Sequence, residues 1–306
     1  MALVGVDDDA GAVVLAALRA ISDRLDEIEP AAVADEPDAV HRLRTTVRRL
    51  RSVLAVYGSL LDASEVDEVR RRYRKLGRRL GAVRDLEVRL LVAEAALQDA
   101  AASATFDTGA LVRVTAGIVA ETTASHQLAH REFTEHQRRP AAVRRRAALD
   151  DLLAHAPAVR PAGSMTRAAL GDALLARELH RAVVRASGVD ATSAPAHLHA
   201  VRRAGRRLRY AAEALAEGAG DTFSARALRL AAAGERIQDV LGGHRDQSLF
   251  AEYLQGSAPV AAPSEQDRAV LERLAAAARR RAAERISDLD PAVHELRSAE
   301  RDWLPL

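Results

Sequence analysis

Apolar residues recur every three to four positions over long stretches of the chain, and no useful length alternates with the two-residue rhythm of a strand. Val13, Val14, Ala17, Leu18, Ile21 and Leu25 share one face of a first helix, expected from Asp9 to about Ile28. Pro30 to Pro37 reads as a loop. A second helix is expected after Asp38 and on to about Leu61, its end marked near Gly58. A third covers about Ala63 to Gln98, a fourth Thr108 to Gln137, and a shorter piece Ala141 to His155. Pro157, Pro161, Gly163 and Ser164 then form the best linker candidate, close to mid-chain. Beyond it come Met165–Ser187, Ala196–Glu217, Thr222–Tyr253 and Ser264–Asp288, then a tail with Pro291 and Trp303 that is expected to be partly helical. The pattern predicts an all-α protein in two halves of four main helices each, residues 1–160 and 161–306.

Composition agrees with helix. The 306 residues are 48% hydrophobic but only 3% aromatic, so the cores must be built from Ala, Leu and Val. Ala and Leu head the helix scale, whereas strands favour β-branched and aromatic side chains. The absence of cysteine excludes disulfides, thiolate metal sites and a Cys nucleophile, and fits a reducing cytoplasm. No run approaches the roughly 20 apolar residues of a bilayer span, so no membrane partner is expected. Asp7, Asp8 and Asp9 stand where a signal peptide would carry positive charge, so export is not expected either.

Charge changes the picture only through its placement. Lys and Arg number 45 against 43 acids, and Lys75 is the single lysine. With totals this balanced, basic character must come from segregation along the chain.

That segregation is repeated. Residues 40–51 read VHRLRTTVRRLR, and 158 residues on, 198–209 read LHAVRRAGRRLR. His41/His199, Arg44/Arg202, Arg48/Arg206, Arg49/Arg207, Leu50/Leu208 and Arg51/Arg209 are identical pairs. A second match follows in the same order: KLGRRLGAVRD at 75–85 and RIQDVLGGHRD at 236–246, 161 residues apart. It pairs Leu80/Leu241, Gly81/Gly242, Arg84/Arg245 and Asp85/Asp246. Two matches at nearly one offset read as an internal duplication.

At about 100° per residue, His41, Arg44, Arg48 and Arg51 fall within an arc of about 80° on one helix face. Leu43, Val47, Leu50 and Leu54 form a separate apolar stripe. His199, Arg202, Arg206 and Arg209 repeat the basic stripe. Like charges four apart weaken a helix by a few tenths of a kcal/mol per pair, and residues 41–55 hold no acid to offset them. One such stripe is ordinarily a solvated face; two matched stripes point to one anion site, which a pseudo-twofold arrangement would bring together. Arg71, Arg74, Lys75 and Arg78 add a third basic face, and Arg226, Arg229 and Arg236 are its thinner, less regular counterpart, of which Arg229 and Arg236 are site candidates. Arg offers a planar fork suited to phosphate oxygens, and His can donate to phosphate as well. Gly81, Gly242, Asp85 and Asp246 read as packing and charge-pairing positions. His126, His130, His136, His155, His180, His197 and His294 read as structural.

These segments resemble the CHAD (conserved histidine α-helical domain) family, across nearly the whole chain from about residue 10 to 303. The resemblance implies two four-helix bundles about a pseudo-twofold axis, with a basic central pore or groove that binds inorganic polyphosphate. It further implies association with polyphosphate granules. By matched position, His41, Arg44, Arg48, Arg51, His199, Arg202, Arg206 and Arg209 would hold the anion, with the third-helix basics contributing. Thr45, Thr46 and Ala200 leave the two copies unequally basic, and Val47 and Gly205 also differ, so the site is not expected to be exactly symmetric. Family members are often fused to a triphosphate-tunnel domain; here Glu27-Ile28-Glu29 is not followed by the Lys that domain's signature needs.

Three functions compete. The first is binding of polyphosphate without catalysis, which requires no cofactor, no metal and no catalytic residue. The second, nucleic-acid binding, normally adds aromatic stacking platforms, and only four Phe, four Tyr and one Trp exist. The third is an enzyme acting on polyphosphate or a nucleotide; the sequence has neither a P-loop nor HExxH. Metal-assisted phosphoryl chemistry usually gathers carboxylates around Mg²⁺, and the stripes carry no repeated acidic cluster.

Overall fold

A computed structural model describes residues 10–102, 106–155, 169, 171–190, 192–217, 222–256 and 264–303, and all ordered elements among them are helical. The first half of the chain gives α1 (Ala10–Val33), α2 (Ala39–Tyr57, followed by a 3₁₀ turn Gly58–Leu60), α3 (Ala63–Ala101), α4 (Thr108–Gln137) and α5 (Pro140–His155). The second gives α6 (Ala176–Ala186, entered through a π-turn Gly171–Leu175), α7 (Pro195–Ala216), α8 (Thr222–Gly256), α9 (Glu265–Ser287) and α10 (Leu289–Trp303). The all-α expectation holds, and the tail expected to be partly helical is helical over Leu289–Trp303. The linker candidate from Pro157 to Ser164 lies outside the described residues.

One expected loop is mostly absent. α1 runs through Pro30 to Val33, leaving a short turn before α2. Proline costs a helix one backbone hydrogen bond, but Ile28 and Ala32 continue the apolar face and are 3% and 0% exposed. Burial on that face outweighs the lost bond. The turn itself reverses direction through Asp35 and Asp38, both in the left-handed region at φ 58° and 59°, which Asp tolerates better than most residues.

Several helices begin at side-chain caps, which satisfy otherwise orphaned N–H groups. Asp62 accepts from the Ser64 and Glu65 amides at the start of α3. Asp107 accepts from Ala110 at α4, and Ser264 with Asp267 forms a capping box at α9.

Both halves contribute to the same interior. One buried cluster takes Leu18 and Leu25 from α1, Leu43 and Leu50 from α2, Leu80 from α3, Leu208 from α7, Leu241 from α8 and Leu296 from α10. A second cluster lies toward the C-terminal ends of the long helices α3 and α8 and is completed by α4 and α9, with Ala93, Ile118, Phe250 and Leu274 among its members. The apolar stripe predicted on α2 is fully used: Leu43, Val47 and Leu50 are 0% exposed and Leu54 2%.

α2 packs on α7, and α3 on α8. The buried Tyr57 hydroxyl donates to the Ala211 carbonyl at 2.8 Å across the first of these contacts, and Arg49 pairs with Glu217. α7 and α8 meet at Gly205 and Gly234, where a β-carbon on Gly205 would stand 2.9 Å from the Gly234 carbonyl oxygen. The backbones touch there with no side chain between them.

Candidate functional site

With the apolar stripes of α2 and α7 buried, the basic stripes beside them are forced toward the seam where these helices meet. Arg48 sits half-buried in that seam, and its charged neighbours are Arg44, Arg206 and Arg202. Burial, and then the fields of those three arginines, push its pKa down to about 9. Arg206 is likewise pushed down, to about 10, by burial and by Arg202, with further contributions from Arg51 and Arg44. Arg44, Arg51 and Arg202 are lowered in the same direction, burial first in each case.

Among the described residues, Arg48, Arg51, Arg202 and Arg206 make no ion pair with a carboxylate. The matched arginines that lie off the stripe behave differently. Arg49 pairs with Glu217, and Arg207 with the buried Glu178, which also holds Arg181. Among the described residues, these off-stripe arginines have acidic partners while Arg48, Arg51, Arg202 and Arg206 have none within ion-pair distance; Arg44 and Arg84, which adjoin them, are paired with Asp85 at 3.2 Å and Glu87 at 2.8 Å.

The second sequence match builds the other wall. Gly81 and Gly242 leave room for arginine: Arg44 Nη2 lies 3.7 Å from where a β-carbon on Gly81 would stand, and Arg202 Nη2 3.1 Å from one on Gly242. Arg44 reaches Asp85 at 3.2 Å. Asp246 acts on Arg202 through its field, without direct contact. Its own carboxyl is pushed up by burial, against the pull of Arg202 and Arg245. Neither Arg44 Nε nor Arg202 Nε, both buried, has a hydrogen-bond acceptor among the described residues. A buried donor left without an acceptor costs about 1–3 kcal/mol, which a bound oxyanion recovers.

His41 and His199 sit at the N-terminal ends of the two stripes. His41 Nδ1 is 3.5 Å from Asp38, yet burial and then Arg84 hold its pKa below the ordinary imidazole value. His199 is lowered by burial and then by Arg203, Arg245, Arg202 and Arg206.

The remaining predicted residues divide. Arg74 and Arg78 of α3 act on Arg51 and so extend the cluster, as does Arg70, which the sequence reading omitted. Arg71 is occupied by Glu68, and Lys75 is exposed. Arg209 departs from its stripe mates: Glu213 at 2.7 Å and Glu235 at 2.8 Å engage it and raise its pKa. Arg229 and Arg236 do not reach the cluster. They line a separate cavity of about 510 Å³ between α8 and α10, with Glu235, Asp239, Glu295 and Asp302.

Sequence reading also passed over Arg84, Arg245 and Tyr210. Arg84 and Arg245 both act on Arg44. Tyr210 is buried beside Arg48 and Arg206, and burial raises its pKa. The identity of Arg84 and Arg245 in the repeat was a signal; their neighbouring aspartates drew it toward packing. The histidines read as structural mostly are so: His130 contacts the Ala32 carbonyl at 2.9 Å, His197 that of Arg185 at 2.9 Å, and His155 meets Glu65 at 2.9 Å. His244 joins them, on the Ala282 carbonyl at 3.0 Å.

The fold and the cluster define an all-helical protein with an arginine cluster in which Arg48, Arg51, Arg202 and Arg206 have no carboxylate partner among the described residues. The CHAD domain model matches residues 16–255, and the chain belongs to that family. Its fold is similar to the crystal structure of the CHAD domain from the plant Ricinus communis, with a TM-score of 0.70 and 23% identity over 97% of this chain and 94% of that one. It is similar also to PptA from Streptomyces chartreusis, with a TM-score of 0.69 and 22% identity over 93% of this chain and 99% of that one. No curated protein matches the sequence. Among the described residues no helix is long and apolar enough to cross a membrane.

Proposed function

We propose that this chain binds inorganic polyphosphate without turning it over, through His41, Arg44, Arg48, Arg51, His199, Arg202, Arg206 and the adjoining Arg74, Arg78, Arg84 and Arg245. The family is linked to polyphosphate binding, and the observation that carries the reading here is Arg48. A half-buried guanidinium with three arginine neighbours and no carboxylate partner among the described residues is costly in the empty protein. Such an arrangement is useful when an anion of high charge density supplies the missing partner. The extension from Arg48 through Arg51 to Arg74 and Arg78 suits a chain of phosphates better than one phosphate. Placement on polyphosphate granules in the cytoplasm follows as the cellular role.

A titration with polyphosphates of several lengths at two salt concentrations tests the reading. Affinity should rise with length up to the span of the cluster and fall steeply with salt, because counterion displacement drives such binding. Combining His41→Ala, Arg44→Ala and Arg48→Ala should abolish most of it. Unchanged affinity in that variant sinks the site assignment, and preference for DNA of matched charge sinks the ligand. Sustained phosphate release with Mg²⁺ would show an enzyme.

A further inference from the structure

Between α3 and α8, sharing a wall with the arginine cluster, lies a cavity of about 430 Å³. That size falls within the roughly 300–1,000 Å³ of small-molecule sites. Asp85, Arg245 and Asp246 belong to both spaces: they line the cavity, and they act on Arg44 and Arg202. One to two helical turns further along, the lining changes character to Val88, Leu249, Phe250 and Tyr253. Arg89 lies over the Tyr253 ring at 4.1 Å, and the Tyr253 hydroxyl donates to Glu121 at 2.9 Å. Leu249 is 38% exposed, so its side of the cavity reaches solvent.

Bare polyphosphate uses little of this. It has no apolar face to bury and no N–H to offer, yet the cavity provides an aromatic wall and carboxylates at Asp85, Asp246 and Glu252. Bases stack on aromatic rings and on guanidinium planes, and carboxylates accept from exocyclic amines of bases. The geometry points to a nucleoside polyphosphate as a second ligand class, its phosphates on Arg44, Arg202 and Arg245 and its amine-bearing base in the cavity between α3 and α8. This rests on the phosphate-binding reading of the cluster. Asp85, 3.2 Å from Arg44, and Asp246 stand on the wall the two spaces share, and Glu252 lies further along α8 on the side where the base would lie.

Calorimetric titration of the full chain with ATP, inosine triphosphate and tripolyphosphate at one salt concentration tests it. Esterification removes charge, so electrostatics alone makes ATP the weaker ligand. The inference expects ATP to bind about tenfold more tightly than tripolyphosphate, the order of one base-stacking contact, with inosine triphosphate between them. Leu249→Trp, which fills the cavity from its exposed side, should bring ATP to the level of tripolyphosphate and leave tripolyphosphate unchanged. Tyr253→Leu, one turn further along α8, should do the same by removing the ring. ATP binding no tighter than tripolyphosphate in the unaltered protein overturns the inference and leaves the polyphosphate reading intact. Binding of none of the three overturns the inference, and failure of long-chain polyphosphate to bind as well overturns both.

Discussion

Arg202 lays its guanidinium over Gly242, Nη2 standing 3.1 Å from the place a β-carbon would take. Arg44 does the same over Gly81 at 3.7 Å. Both glycines lie inside long helices, where glycine costs roughly 0.5–1 kcal/mol relative to alanine. At Gly242 that cost makes room for the arginine, whereas at Gly81 a β-carbon would meet Arg44 in ordinary contact.

Gly242→Ala should therefore separate stability from binding. The helix gains propensity, while Arg202 must shift by a few tenths of an ångström. Thermal unfolding should be unchanged or later, and polyphosphate affinity should fall by about threefold, on the order of half a hydrogen bond's net worth. An equal loss of both would mean that the glycine serves folding alone.

Arg48 gives a stronger version of the same contrast. Arg48→Met removes a charge that has arginine neighbours and no carboxylate partner among the described residues, so the empty protein should unfold about 1 kcal/mol later in urea. Polyphosphate affinity should drop at least about tenfold. Polyphosphate should raise the melting temperature of the unaltered protein more than that of the variant. A variant less stable than the parent argues against uncompensated charge at Arg48.

His41 and His199 make binding depend on pH. Burial and neighbouring arginines hold both below 6.5, so the empty folded protein binds fewer protons there than the unfolded chain once the pH drops through that value. Stability of the empty protein should decline as pH falls through this window. A bound polyanion favours the protonated rings, so affinity should rise over the same interval, with uptake of up to about two protons. Calorimetry at pH 6 in two buffers of different ionisation heat measures the uptake. His41→Asn with His199→Asn should abolish it.

Glu178 marks the structural arginines. It is 4% exposed and holds Arg181 and Arg207. Glu178→Gln leaves two guanidinium groups underpaired and should cost about 3 kcal/mol in urea unfolding. Affinity measured where the variant remains folded should match the parent. A large affinity loss would place Arg207 in the binding machinery.

The fold was legible because its signal is periodic: Leu43, Val47, Leu50 and Leu54 announce a buried stripe, and all four are buried. Pro30 misled because a local penalty was weighed without the core that Ile28 and Ala32 enter. At the site, periodicity placed Arg44, Arg48 and Arg51 on one face but said nothing of partners on other helices. Arg209 shares that phase, yet Glu213, one turn on, and Glu235 of α8 take it up. Arg229 and Arg236 matched the α3 basics only loosely and open toward α10. Arg245 of α8, which acts on Arg44, could be placed only once the packing of α8 against the other helices was known.

The glycine contact between α7 and α8 has a mechanical meaning. Gly205 and Gly234 bring two backbones together, so no compressible side-chain layer lies at that point to absorb a change in helix separation. α7 carries Arg202 and Arg206, and α8 carries Gly242, Arg245 and Asp246. The contact works as a fixed gauge block: it sets the width of the slot into which Arg202 fits, and a single methyl group there would prise one jaw of the site from the other.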